Sequence, residues 1–93
     1  MILEIVSPEA TLFKGEVTSV AVPGVNGEFQ MLNNHAPIVS LLTKGNVKIN
    51  AQNIKIEKEF ASKFNKVNEQ NYWLPITSGT IEMNENKIIV LAD

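Results

Sequence analysis

A chain of 93 residues with eight lysines, no arginine and a net charge of −2 has no nucleic-acid footprint and no guanidinium for a bidentate grip on phosphate. The absence of cysteine excludes disulfides and thiolate chemistry, and 44 % hydrophobic residues are enough to build the core of one small soluble domain. A domain of this size buries only about 60 to 65 % of the surface of its unfolded chain, so it has surface to spare for partners.

Most of the chain alternates apolar and polar residues with period two between turn signals, which predicts an all-β fold. Ile2 to Val6 is the first strand; Glu4 interrupts it and no basic flank precedes it, so it reads as neither a signal peptide nor a spanning segment. Ser7-Pro8-Glu9 is a turn, and Leu12-Phe13 is a short apolar pair before Lys14-Gly15. Glu16 to Val22 is the second clear strand, with Val17 out of phase at a bulge or an early twist. Pro23-Gly24 and Asn26-Gly27 are turn dipeptides, the latter a strong hairpin signal. Phe29 and Met31 share a face, Asn33-Asn34 breaks the strand, and Pro37 forces extended geometry on Ala36. Ile38 to Leu42 is too apolar to alternate and reads as a buried strand or a single helical turn.

Val47, Ile49 and Ala51 alternate with polar residues, and Ile54 and Ile56 resume the pattern after Gln52-Asn53 as the return arm of a hairpin. Lys58 to Asn71 is ambiguous: Phe60, Phe64 and Val67 fit helical spacing, while Ile54, Ile56, Phe60 and Phe64 share one strand parity. An extended hairpin arm and a short helix or irregular loop both remain open there. Tyr72, Leu74 and Ile76 form a strand face, with Pro75 arguing for an edge because it lacks a donor. Ser78-Gly79 reverses the chain, and Ile81 and Met83 flank Glu82. Asn84-Glu85-Asn86 turns into Lys87 to Asp93, apolar enough for a central strand. Short strands with close turns make a sandwich or barrel.

The chemistry-bearing residues are sparse. His35 is the only histidine, so a closed zinc site would need three carboxylates beside it. As a general base it finds Ser40 and Glu28 only by nearness in sequence, and a loop residue that caps a turn or meets a partner is the simpler reading. Glu57 and Glu59 interleave with Lys55 and Lys58, as on a solvated face. Gly24-Val25-Asn26-Gly27 has neither a following helix nor a Lys-Ser/Thr pair, so it is no phosphate loop. Trp73, Tyr72 and Phe29 read first as packing residues rather than a stacking platform.

An ordered set of residues then resembles a known family. Leu3 to Pro8, Leu12 to Val17, Val22-Pro23-Gly24, Gly27-Glu28-Phe29, His35-Ala36-Pro37, Gly45 to Ile49, Ser78-Gly79 and Asn86 to Asp93 are similar to the epsilon subunit of F-type ATP synthase from end to end. The resemblance implies a β-sandwich of about ten short strands in two sheets. It also implies a non-catalytic rotor part of the central stalk, bound to the gamma subunit and the c-ring, that couples ion translocation to ATP synthesis. Membrane contact comes only through the complex, on the cytoplasmic face of a bacterial plasma membrane, and no cofactor is implied. Two partner-interface residues carry over from the family: Glu28, near the polar loops of the c-ring, and His35, in the same rotor-facing region.

The sequence departs from the family pattern at three places. Thr80 stands where a second glycine is usual, Lys58 to Asn71 is longer than the usual connection, and no helical hairpin follows Asp93. The inhibition of ATP hydrolysis and the ATP binding associated with that hairpin are therefore expected to be missing. The competing reading is a free-standing β-sandwich module that binds peptide or carbohydrate through Tyr72 and Trp73, and a small hydrolase comes third.

Overall fold

The computed structural model describes residues 1–93, which form ten strands and one 3₁₀ helix. In chain order the strands are β1 Ile2–Val6, β2 Thr11–Glu16, β3 Ser19–Gly24, β4 Gly27–Leu32, β5 Ile38–Leu42 and β6 Gly45–Asn50. After the 3₁₀ helix Lys58–Lys63 come β7 Asn65–Asn68, β8 Asn71–Ile76, β9 Gly79–Asn84 and β10 Lys87–Ala92. One layer runs β2-β1-β10-β9-β5 and the other β4-β3-β6-β8-β7, and a single residue pair, Gly24 with Leu42, joins them at one corner. The expected two-sheet sandwich is thus one curled sheet folded on itself, its two layers continuous at that corner.

Period two explains the core. Leu3 and Ile5 of β1, Ile88 and Val90 of β10, and Ile81 and Met83 of β9 line the inner face of the first layer; Val20, Val22, Met31, Val47 and Ile49 line that of the second. β10 is central, as its apolar run predicts: it pairs parallel with β1 and antiparallel with β9. The parallel pair sets the first and last strands side by side, with Met1 and Asp93 at opposite ends of it.

Several expectations need correction. Glu16 to Val22 is not one strand: β2 ends at Glu16 in one layer and β3 starts at Ser19 in the other. Val17 is out of phase because the chain changes layers there; its side chain is buried and its N–H bonds the Met1 carbonyl. The ladder irregularity instead lies between Ile5 and Val6. Pro23 and Gly24 belong to β3 rather than to a turn, and the reversal is made at Val25-Asn26 with Gly27 at φ +117°. Thr80 sits in β9 without positive φ.

The hairpin expected of Val47 to Glu57 does not form, because β3 and β8 already occupy both edges of β6 and leave no ladder for Ile54 and Ile56. Those residues instead lie partly buried against the core in an irregular segment. Lys58 to Asn71 divides between the two readings: a 3₁₀ helix that seats Phe60, then Phe64 buried at its end, then β7 antiparallel to β8. β8 is therefore not an outermost strand, but β7 opposes only Asn71 to Trp73, so Pro75 still has an open side where no donor is needed. Ile38 to Leu42 is a strand, yet Val39 and Leu41 point outward instead of being buried.

Candidate functional site

Glu28 is the second residue of β4 and is exposed, because β4 turns its even-numbered side chains to solvent and its odd-numbered Phe29 and Met31 toward the core. Pairing carries this outward register across the second layer: Gln30, Ala21, Lys48 and Trp73 form one row, and Ser19, Asn50 and Asn71 the next. Lys48 extends over this face with its Nζ 2.9 Å from Glu28 Oε1 and 4.4 Å from the centre of the Trp73 ring. One ammonium thus meets a carboxylate and an aromatic face at once, a pairing that fixes the carboxylate more than it stabilises the fold. Asn50 donates to Asn71 Oδ1 at 2.8 Å beside them. Together these groups line a shallow polar depression of about 320 Å³.

His35 lies elsewhere. It follows β4 in an exposed loop, its N–H bonds the Leu32 carbonyl at 3.0 Å, and its Nδ1 is 2.7 Å from the Ala36 carbonyl. The loop is held by amides: Asn34, at φ 64°, donates its N–H to Asn86 Oδ1 at 2.8 Å, and Asn86 Nδ2 donates to Asn33 Oδ1 at 2.9 Å. Glu28 and Leu32 alone are separated by about 13 Å of extended strand, so Glu28 and His35 stand at opposite ends of β4 and are not brought together. Neither Ser40 nor Glu28 bonds His35; the Ser40 hydroxyl donates to Leu41 O and Glu28 pairs with Lys48. No three His, Cys, Asp or Glu side chains cluster with metal-site geometry.

Tyr72 and Trp73 do not form one contact surface. Adjacent strand residues face opposite ways, so Tyr72 packs against the core while Trp73 lies outside under Lys48. The stacking platform required by a carbohydrate-binding module is already occupied by the protein's own ammonium.

A second surface escaped the reading of single residues. On the outer face of the first layer, Leu41, Thr80, Leu91 and Val6 stand in one cross-strand row and Val39, Glu82, Ile89 and Glu4 in the next. Val39 is 76 % exposed, Leu41 64 %, Val25 62 % and Leu91 52 %, an unusual concentration of large apolar side chains in water. The signal was present in the sequence as the excess of apolar residues in Ile38 to Leu42, which a strand with one wet face does not need.

A family model described as "ATP synthase, Delta/Epsilon chain, beta-sandwich domain" matches residues 1–93. The chain is 35 % identical over 91 residues to an ATP synthase epsilon chain of Chlorobium limicola, covering 98 % of this chain and 86 % of that protein. It is 34 % identical to the epsilon chain of Campylobacter curvus, covering 98 % of this chain and 59 % of that longer one. The fold matches a chain in the central stalk/c-ring structure of the Tetrahymena thermophila mitochondrial ATP synthase with a TM-score of 0.73 at 12 % identity, covering 99 % of this chain and 62 % of that one. It also matches a chain of the Euglena gracilis mitochondrial enzyme with a TM-score of 0.77 at 16 % identity, covering 99 % and 49 %.

Proposed function

This chain belongs to the ATP synthase delta/epsilon chain family, whose β-sandwich domain spans it end to end, and we propose that it is a non-catalytic rotor subunit of the central stalk. In this reading it binds the gamma subunit and the c-ring and couples ion translocation to ATP synthesis, held peripherally at the cytoplasmic face of the membrane. No helix in it is long and apolar enough to cross a bilayer. The observation that carries the reading is the family match over all 93 residues.

The physical role is to be stiff. Ladder hydrogen bonds and a close-packed core resist shear, so a load applied at one surface reaches the other. The two outer faces have the chemistry that two different neighbours require. The apolar face around Leu41 and Leu91 suits a lasting contact with gamma, since apolar area supplies affinity. Glu28, braced by Lys48, suits the polar loops of the ring, where a charge sets register more than it supplies energy. His35, at the far end of β4, marks a second polar contact with the rotor and not the same one as Glu28.

The test is assembly. Mixed with its cognate gamma subunit, the chain is expected to co-elute from a sizing column as a stable complex. Vesicles carrying a motor depleted of it are expected to lose ion-driven ATP synthesis and regain it when the chain is added back. Separate migration at micromolar concentrations, or full coupling without the chain, would defeat the reading.

A further inference from the structure

The apolar outer face ends at a strand whose backbone is also open. β5 is fully paired with β9, but on its other side it meets β3 only at Leu42 with Gly24. The Thr43 N–H points to that side and bonds the Pro23 carbonyl at 2.8 Å. Because backbone groups alternate in direction along a strand, the N–H groups of Leu41 and Val39 point the same way. No protein atom accepts a hydrogen bond from either; the one side-chain bond nearby runs from Ser40 Oγ to Leu41 O.

The other strands with an open side are blunted in the usual ways. β2 carries Lys14 and Glu16 beside a register shift, β4 carries Glu28 and Gln30, and β7 is four residues long with Lys66 in it. β5 alone has no charge, no proline and no bulge within it, and shows two exposed apolar side chains. A row of unsatisfied backbone groups beside apolar side chains is the arrangement that accepts an added strand, in which main-chain bonds give affinity and alternate side chains give specificity.

We propose that the open edge of β5 receives an extended apolar strand of the gamma subunit, hydrogen-bonded to Val39 and Leu41, and that the chain flanking that strand folds over Leu41, Val25 and Leu91. This rests on the function proposed above. A second copy of the chain is the less suitable occupant. Two β5 edges paired about a twofold would prolong the sheet sideways and leave both outer faces wet. The open stretch from Val39 to Leu41 is moreover only about 10 Å long, too short by itself to bury the roughly 1,200 Å² of a stable interface.

Residue-resolved amide hydrogen exchange of the labelled chain, alone and with the gamma subunit, tests the proposal. In the free chain Val39 and Leu41 exchange fast while Ser40 and Leu42, directed at β9, are already slow. In the complex Val39 and Leu41 are expected to slow by about a hundredfold or more, the protection given by a stable ladder bond. Val39→Pro, which removes one outward donor, is expected to weaken gamma binding about tenfold, the upper end for a single hydrogen bond, and more than Val39→Ala does. A stable complex in which both amides stay fast overturns the strand and leaves the function standing. Protection already present in a dimer of the free chain assigns the edge to a second copy and overturns the proposal. No complex with gamma at all defeats both.

Discussion

A Cβ built on Gly79 runs into the Leu91 carbonyl oxygen, because β9 lies against β10 at that end of the layer. Gly79→Ala must push two backbones apart and is expected to cost about 1–3 kcal/mol in urea unfolding. At Gly15 the nearest neighbour of a Cβ is the tip of the Phe13 ring at 3.3 Å, which can tilt, so Gly15→Ala is expected to cost less than half as much. Lys48→Met removes both the bond to Glu28 and the contact with Trp73, yet the ion pair is partly exposed and worth about 1 kcal/mol or less. Its stability loss in urea unfolding is therefore expected to be small. The one resolved pKa shift is at Lys66, raised above its usual value chiefly by the hydrogen bond to Glu69. A raised basic pKa gives stability that is present below the unfolded value and lost as pH rises through the folded one. A difference in Tm between the wild type and Lys66→Met is thus expected to be small, to be full well below pH 10.5 and to fade as pH rises past it through the raised folded value.

At the scale of elements, the segment between β6 and β8 is an addition to a hairpin that is complete without it. Asn50 and Asn71 already oppose each other in register, and their side chains are bonded. Replacing residues 51–70 with Asn-Gly, the two-residue turn that suits twisted strands, is expected to leave a folded sandwich. The replacement loses the buried side chain of Phe64 and the partial burial of Phe60, so a fall of about 3 kcal/mol or more is expected, with strand content by circular dichroism largely intact. Met31→Ala, one residue from the end of β4 and fully buried, is expected to cost about 2–5 kcal/mol by itself. In the irregular stretch after Gln52-Asn53, the alternation of Ile54 and Ile56 with Lys55 and Glu57 predicts a strand that does not form. Periodicity reports which side chains seek cover; it does not report whether a neighbouring edge is free to supply a ladder.

For the molecule as a whole, the first and last strands are joined in the parallel pair of β1 and β10, and both layers include strands distant in sequence. The entropy of closing such long loops must be overcome before their contacts form, so folding is expected on the millisecond-to-second scale, and stopped-flow refolding measures it. A microsecond phase carrying the full amplitude would contradict this topology.

The sequence by itself determined the all-β class, the inner-facing residues of β3, β4, β6, β8 and β9, the centrality of β10 and the membership of a rotor-subunit family. Each of these follows from local alternation or from the order of residues along the chain. Tertiary structure alone decided three things: that Val17 marks a change of layer, that Glu28 and His35 occupy opposite ends of β4, and that the apolar run of β5 faces water beside an open edge. Alternation states that one face is apolar and the other is not; only pairing between distant strands states which face is covered and which is left for another chain.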